Sequence, residues 1–436
     1  MTSMRRERMA GWLLAPLLTA VLAAGGIAAQ AGVASAVTTG AVTTGHHGRV
    51  LFVSPRAKPH AADLSCRSAT FRTIQSAVNA APPGATVVVC QATYREQVVV
   101  FKPLTLAGQL ATIDEAGVAP RLSVTIPHFG KVTIFAGVVI VSSDVRFSGF
   151  GVEGAQGEGI LAAGLGRDIT GISITHSAVV HNDLGFGFPT PKSSYFECRP
   201  AGQIPGDCGE GIHFTAVAFS TISHDVVAGN SGGVLLSDDT GPTHGNLVAN
   251  NYVTDNFADC GITVPGHNPF ALDKKGRPQP QVAGVYDNVI RDNAVTNNGT
   301  KGEGAGILFA NATAGTASYD NLVEGNFIAG NGLSGVTIHA HTIGKGQFED
   351  LNGNDVIGNI IVRNNLKGDP LDFPASPKDG KTTGILVFSG GTRVTVRIAF
   401  NHIFNDAIGI WLSKAVSASG LRTNRFTDVG IRILRV

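Results

Sequence analysis

A glycine followed by alternating apolar residues recurs along most of the chain. Typical copies are Gly-Ile-His-Phe from residue 211 and Gly-Ile-Thr-Val from residue 261. Alternation with a period of two indicates β-strands. Most copies are about 21–29 residues apart, which predicts stacked coils of a solenoid. The repeating glycines are Gly159, Gly185, Gly211, Gly233, Gly261, Gly306, Gly335, Gly384, Gly409 and Gly430.

Asparagine marks a second repeat between these glycines, in Asn-x-apolar-x-x-Asn units such as the one that joins Asn288 to Asn293. We expect Asn and Gly to take the left-handed backbone conformation at corners between short strands. Three short strands make one coil, and coils stacked about 4.8 Å apart bury a common core. The sequence therefore predicts an all-β fold, a right-handed parallel β-helix solenoid, and it lacks the 3.6-residue period of an α-solenoid.

The residues that precede the regular coils predict one short helix. An apolar stripe runs along residues 70–81, and Pro82 and Pro83 end it before a valine-rich strand at 87–89. A helix at the open end of the first coil would cover a sheet edge that otherwise favours aggregation. We therefore expect a short N-terminal capping helix.

The same region resembles the opening of pectin-lyase-like β-helix proteins. The resemblance is carried by Phe-Arg-Thr-Ile-Gln-Ser-Ala-Val at 71–78, Pro-Gly at 83–84 and Tyr-Arg-Glu-Gln-Val at 94–98. The later coils resemble the Asn-rich repeats of secreted NosD-like proteins. Together these resemblances cover residues 66–436 and imply a right-handed parallel β-helix. They do not select an activity, because this fold carries lyases, hydrolases, esterases, epimerases and proteins without known catalysis.

The first 65 residues differ in composition from the repeats. Three arginines precede an Ala/Leu-rich stretch, and Ala-Ser-Ala at 34–36 fits signal peptidase, so residues 1–36 are expected to be a cleaved export signal. Residues 37–65 are predicted to form a flexible linker, with the β-helix over 66–436. We therefore expect a secreted, extracellular or cell-envelope protein with no membrane anchor in its mature chain.

The net charge argues against a nucleic-acid partner, and the cysteines indicate the compartment. The formal net charge is +1 at pH 7, without the basic excess of a nucleic-acid-binding protein. All five cysteines follow the predicted signal, which fits an oxidising compartment. Their positions predict two disulfides, Cys66–Cys90 and Cys198–Cys208, and leave Cys260 as a buried thiol outside any disulfide.

Polar residues gather where one strand of each coil ends. Asp239 and His267 each lie six residues after a coil glycine, so we expect them on neighbouring rungs about 5 Å apart. Ser-Asp-Asp at 237–239 followed by Gly-His at 266–267 is similar to half of the polygalacturonase motif. A long insertion at 265–283 borders them. The candidate catalytic residues are Asp238, Asp239, His244, His267 and His341.

Two interpretations of this acidic pair stay open. Asp238 and Asp239 could serve as general acid and base for a glycosidic bond, which needs two carboxyl groups about 5 Å or about 6.5–9.5 Å apart. They could instead form an Asx turn that caps the strand end. His339 and His341 share a strand face and offer half a metal site, so the cofactor is left open, with a divalent metal as the candidate.

A second group of acids lies where the same strands begin. Glu210, Asp259 and Glu303 are binding candidates together with His339, and up to about 30 Å of extended chain separates them from the strand ends. Two functions are compatible with these residues. One is action on a polysaccharide or cell-wall glycan, by hydrolysis or elimination; the other is a non-catalytic envelope or accessory binding protein. The Asp and His residues favour the first, and the scarcity of aromatic residues for sugar stacking favours the second.

Overall fold

Short parallel strands, stacked coil upon coil, form almost all of this computed structural model. The structure describes residues 48–58, 63–126, 130–183, 210–301, 304–311, 313–340, 347–366 and 382–436. Within these ranges the strands form four parallel stacks, here named A to D, and one antiparallel hairpin. The predicted right-handed parallel β-helix is confirmed.

Stacks A and B form one 21-stranded sheet, because the long strands β5 and β9 pass through both. The strands of stack A are β1 Val50–Val53, β2 Thr86–Val89, β5 Leu104–Asp114, β9 Val145–Glu153, β12 Ser173–Thr175, β16 Thr221–Ser223, β20 Leu247–Ala249, β24 Val289–Arg291, β28 Leu322–Glu324, β31 Asn354–Ile357, β34 Val394–Ala399 and β37 Val416–Ser419. Those of stack B are β3 Thr93–Tyr94, β13 Ala178–Val180, β17 Val226–Ala228, β21 Tyr252–Thr254, β25 Ala294–Thr296, β29 Phe327–Ala329, β32 Ile360–Val362, β35 His402–Phe404 and β38 Arg425–Thr427.

Stack C is an 11-stranded sheet and stack D a 5-stranded sheet. The strands of stack C are β4 Val98–Val100, β8 Val138–Ile140, β10 Ile160–Ala163, β14 Glu210–Thr215, β18 Gly232–Ser237, β22 Ile262–Gly266, β26 Ile307–Asn311, β30 Val336–Ala340, β33 Thr383–Ser389, β36 Ile408–Leu412 and β39 Ile431–Arg435. Stack D contains β11 Ile169–Thr170, β15 Val217–Ala218, β19 Thr243–His244, β23 Val285–Tyr286 and β27 Ser318–Tyr319, and the hairpin contains β6 Leu122–Ile126 and β7 Gly130–Ile134.

Stack C differs from stack B because both of its faces are buried in the strands that carry the candidate chemistry. In β14 and β18 every residue is buried, whereas strands of stack B such as β25 bury one residue and leave its neighbours half-exposed. Ile212 and Phe214 point into the common core, so the residue between them lies on the opposite face. Polar side chains on that second face are thereby removed from bulk solvent.

The repeating asparagines lie one residue after the corners instead of occupying them. Asp292 and Asn297 have the left-handed backbone, with φ of 55° and 58°, and each precedes a buried asparagine. The side-chain oxygen of Asn293 accepts the backbone N–H of Asn251 at 3.0 Å, and its amide donates to the Asn326 oxygen at 3.0 Å. The expectation that the repeating asparagines themselves adopt the left-handed conformation is therefore wrong for these columns.

The predicted capping helix is present as α1, Ile74–Ala80. The Thr73 side chain accepts the backbone N–H of Ser76 and so caps its first turn. The buried Glu96 carboxylate accepts two further N–H groups, from Ile74 at 2.7 Å and Gln75 at 3.0 Å. Two 3₁₀ turns, Cys66–Ser68 and Leu421–Thr423, are the other helical segments of the described chain.

The folded region begins earlier than expected. Strand β1 lies inside the stretch 37–65 that was predicted to be a linker, and it pairs with β2 in parallel. Leu51 and Val53 are fully buried, because this four-residue apolar run supplies the first rung of stack A. The predicted boundary at residue 66 is therefore corrected to about residue 50, and the predicted signal at 1–36 lies outside the described residues.

The cysteine predictions are confirmed where the structure describes them. Cys66 and Cys90 form a disulfide, and Cys260 is buried and outside any disulfide. The predicted pair Cys198–Cys208 lies outside the described residues. Among the described helices, none is long and apolar enough to cross a membrane.

Candidate functional site

The candidate site lies on the second face of stack C, across the neighbouring strands β14, β18 and β22. Alternation places His213 of β14 and Ser237 of β18 on this face, while Phe214 and Leu236 point into the core. Asp239 follows the end of β18, and His267 follows the end of β22. Parallel pairing without a shift keeps these strand ends side by side.

A continuous chain of polar contacts joins these four side chains to a fifth, Glu158, which precedes β10. Glu158 Oε1 lies 3.0 Å from His213 Nδ1, and His213 Nε2 lies 2.8 Å from Ser237 Oγ. The Ser237 hydroxyl donates to Asp239 Oδ2 at 2.5 Å, and Asp239 Oδ1 lies 3.1 Å from His267 Nδ1. We name this chain the relay. It runs from the buried Glu158 to the partly exposed His267, whose side chain is 16% exposed.

Charges along the relay fix the direction of its hydrogen bonds. Burial raises the pKa of Asp239, but the opposing effects of His267, His213 and the Ser237 hydroxyl are larger and hold it well below its usual range. Asp239 is therefore ionised and accepts from both neighbours. Since the Ser237 proton goes to Asp239, the Ser237 oxygen accepts from the Nε2–H of His213.

The buried end of the relay is an acidic cluster. Glu158, Glu210 and His213 each place one oxygen or nitrogen within 4.8 Å of the other two, and all three residues are almost completely buried. Ile160 pairs with Ile212, so the two glutamates, each two residues earlier, start adjacent rungs. Glu210 begins β14, as expected for the strand-start group, and His213 of the same strand connects this cluster to the strand-end residues through Ser237.

Asp238 has a different environment from its neighbour Asp239. It is fully buried, and its oxygens accept three backbone N–H groups, from His267 at 2.7 Å, Asn268 at 3.0 Å and Gly284 at 2.8 Å. Burial nevertheless raises the pKa of Asp238 to about 7, against the lowering effect of these donors and of His267. These contacts tie both ends of the insertion to the end of β18, which is an anchoring role.

His244 lies in stack D and contacts aromatic rings rather than the relay. Its ring stacks on Tyr286 with centroids 4.7 Å apart and meets the edge of Phe219 at 5.1 Å. Tyr286 in turn stacks on Tyr319 at 5.1 Å. Burial lowers the pKa of His244, although Asp168 and Asp287 act in the opposite direction. The structure therefore separates His244 from Asp239 and His267, with which it was grouped.

Of the other candidate residues, two are buried and two lie outside the described residues. Asp259 precedes β22 and is 3% exposed, and His339 of β30 is fully buried. In the pairing register His339 lies beside Ala310 of β26, which in turn lies beside Pro265 of β22. His341 and Glu303 lie outside the described residues.

Three members of the relay escaped prediction from sequence. His213 occupies the middle of a Gly-apolar-x-apolar repeat, where the aligned positions of neighbouring strands hold Leu161 and Leu235. A histidine at a register position that holds leucine in the neighbouring strands could have identified His213 as a candidate site residue. Ser237 and Glu158 gave no signal of their own, because only the stacking of coils brings His213 to them.

Comparison with solved structures places the chain among parallel β-helix proteins. Pectate lyase Pel9A is 14% identical, with a TM-score of 0.50 over 87% of this chain and 78% of that one. Alginate lyase from Paenibacillus sp. str. FPU-7 is 13% identical, with a TM-score of 0.47 over 79% and 96%. Lacto-N-biosidase of family GH136 from Eubacterium ramulus is 12% identical, with a TM-score of 0.49 over 89% and 68%.

Identities this low show a shared fold and nothing finer. The match to Pel9A agrees with the right-handed parallel β-helix that the stacks display. No protein family matches the sequence, and neither does any curated protein. Function must therefore be argued from the site.

Proposed function

We propose that this chain is an exported enzyme that binds an acidic extracellular polysaccharide and cleaves it by β-elimination, with His267 as the general base. The observation that carries the proposal is the contact between Asp239 Oδ1 and His267 Nδ1, 3.1 Å apart, at the partly exposed end of the relay. An ionised carboxylate beside an imidazole orients it and stabilises the imidazolium that forms when it takes a proton.

Elimination needs one base, whereas hydrolysis needs two carboxyl groups. In a uronic acid residue, the base removes the proton on the carbon next to the carboxylate. The bond to the leaving sugar oxygen then breaks, a carbon–carbon double bond forms, and the leaving oxygen takes a proton. Asp239 keeps His267 Nδ1 occupied, so Nε2 is the nitrogen that accepts the proton. Asp238, the second carboxyl group required for hydrolysis, is committed to three backbone donors.

The insertion that begins beside His267 favours an anionic chain. It carries Lys274, Lys275 and Arg277, all exposed, and Arg277 pairs with Asp273 at 2.6 Å. Exposed positive charge attracts a polyanion and raises its local concentration. Phe270, three residues after His267 and 62% exposed, offers a ring on which a sugar can stack. Pel9A is a polysaccharide-active example of the same fold and supports this substrate class.

One observation favours the alternative of a non-catalytic glycan-binding protein. The second face of stack C is buried in the relay strands, and Asp239 is only 14% exposed. Under this alternative the relay would stiffen the scaffold, and binding would use the insertion alone.

A screen of polysaccharides separates these functions. The purified chain is incubated with acidic polymers, polygalacturonate and alginate among them, and with neutral polymers as controls. Ultraviolet absorbance reports unsaturated product ends and a reducing-sugar assay reports all new ends. Elimination predicts both signals together, on acidic polymers only. New reducing ends without unsaturation would contradict elimination, and saturable binding without either signal would favour the non-catalytic function.

A further inference from the structure

The buried end of the relay has the composition of a metal site. We propose that Glu158, Glu210 and His213 bind one divalent transition-metal ion, for which Zn²⁺ is the reference ion. The ion would join the coils that begin at β10 and β14 and fix the orientation of His213. This inference does not depend on the proposed function, since it concerns metal binding and not turnover.

The three side chains of this cluster lie close enough together to share one ion. One ligand atom of each residue lies within 4.8 Å of the other two, and Glu158 Oε1 is already 3.0 Å from His213 Nδ1. Ligands at about 2.0–2.2 Å from one tetrahedral Zn²⁺ ion stand about 3.3–3.6 Å apart, so a small widening of this hydrogen-bonded pair would admit the ion. Glu210 lies on the adjacent rung and offers the third ligand atom.

The buried carboxylate of Glu158 also favours a bound cation. The residue is 1% exposed, and its second oxygen, Oε2, has no hydrogen-bond partner among the residues that the structure describes. A buried carboxylate oxygen without a donor is costly, and a second carboxylate on the next rung adds repulsion. A divalent cation between the two glutamates removes both costs, because buried charges in proteins are paired or coordinate metals.

The second nitrogen of the histidine in this cluster is already engaged. Nε2 of His213 lies 2.8 Å from Ser237 Oγ and donates to it, since the Ser237 hydroxyl itself donates to Asp239. Nδ1 is then the nitrogen that faces Glu158, and a metal bound there would displace the proton that Nδ1 shares with Glu158. A histidine that binds a metal through one nitrogen and donates from the other is the usual arrangement at metal sites. Ser237 and Asp239 are then the outer partners of the metal ligand.

The donor set selects the class of ion. One imidazole nitrogen and two carboxylates suit Zn²⁺ or Mn²⁺, whereas Ca²⁺ takes six to eight oxygen ligands. Burial of all three residues argues for an ion that organises the site instead of one that contacts the glycan.

The test measures metal binding by the full chain after chelator treatment and dialysis. We expect elemental analysis and titration calorimetry to show one Zn²⁺ per chain, Ca²⁺ at the same concentration not to compete, and saturating Zn²⁺ to raise the Tm. Glu158→Gln, Glu210→Gln and His213→Ala should each lower the affinity about 10-fold or more. Glu115→Gln, which removes another almost fully buried carboxylate, is the matched control and should still bind one ion.

Three results would overturn the inference. The first is a wild-type chain that binds neither Zn²⁺ nor Mn²⁺ stoichiometrically and whose Tm ignores both ions; this result needs no variant to fold. The second is unchanged affinity in Glu158→Gln and His213→Ala. The third is X-ray absorption that shows a sulfur ligand, or two or more imidazoles, on the bound ion. If the chain binds no metal but still cleaves a polysaccharide, the metal site is wrong and the proposed function stands.

Discussion

The asparagine columns at the corners and the relay on stack C both bury polar groups, but they satisfy them in opposite ways. In the columns each buried amide repeats the contacts of the one below it. Asn293, for example, accepts from Asn251 and donates to Asn326 and to the Val248 carbonyl. In the relay no contact repeats, and carboxylate, imidazole and hydroxyl groups of neighbouring coils contact one another.

This difference distinguishes scaffold from site. A polar residue that recurs in every coil satisfies the backbone of its neighbour, so its loss is a loss of stability. A polar residue found at one rung only, such as His213 between Leu161 and Leu235, makes contacts that the other coils do not repeat. The relay should therefore control activity, and the columns should control folding.

The largest effect is expected in the relay, on activity. Asp239→Asn removes the charge that stabilises the imidazolium of His267, and general acid–base catalysis of this kind contributes about 10²–10⁴-fold. We expect the kcat on an acidic polysaccharide to fall by about this factor. The free energy of unfolding should change by no more than about 2 kcal/mol. Parallel turnover and thermal-melting measurements check both, and a wild-type rate would show that the contact is only structural.

The next largest effect is expected in the columns, on stability. Asn293→Ala leaves the Asn251 N–H and the Val248 carbonyl buried without their partner. Each buried unsatisfied group costs about 1–3 kcal/mol, so the free energy of unfolding should fall by about 2–6 kcal/mol. The exposed Arg291→Ala in the same coil is the control and should stay within about 0.5 kcal/mol. Equal stability of the two variants in denaturant titration would remove the distinction between the regions.

A smaller, pH-dependent effect is expected at Asp225, which occupies a column position otherwise held by asparagine. Its Oδ1 accepts the Ser177 N–H at 2.7 Å, as Asn251 does for Asp225 itself. Burial raises the pKa of Asp225 to about 8, although backbone N–H groups of Ser177 and Ser223 lower it. The folded chain thus keeps a proton that the unfolded chain releases above about pH 3.9, so this residue costs stability as the pH rises from 4 to 8.

Asp225→Asn should remove that cost, because an amide supplies its hydrogens at every pH. The Tm of the variant should match the wild-type Tm near pH 4 and exceed it by a few degrees near pH 8. Melting curves across this pH range provide the measurement. A Tm difference that stays constant from pH 4 to pH 8 would mean that Asp225 does not titrate in this window.

The smallest effect is expected at the rim of the site. Phe270→Ala removes a ring that is 62% exposed, so stability should change by less than about 0.5 kcal/mol. Loss of one stacking contact should raise the KM for the polysaccharide several-fold, by about 0.5–1.5 kcal/mol, with kcat unchanged. Phe400→Ala, exposed to a similar degree on another face, is the matched control. An equal change in both variants would argue against a sugar contact at Phe270.

The repeat made most of the fold predictable from the sequence. Several residues that do not follow the repeat were not predicted. The coil glycines fixed the strand register well enough to bring Asp239 beside His267, and the apolar stripe located α1. Strand β1 was missed because four apolar residues within a polar stretch carry no period of their own. Glu158 and Ser237 were missed because each contacts His213, which lies on another coil, and only the stacking of β10, β14 and β18 brings these side chains together.

The central claim is that His267 acts as the base, and chemical rescue tests it most directly. His267→Ala should lose the formation of unsaturated ends on the acidic polysaccharide that the wild type cleaves. Added imidazole should restore it in a saturable manner, while Asp239→Asn should gain nothing from imidazole. A His267→Ala variant that keeps the wild-type rate without imidazole would contradict the account.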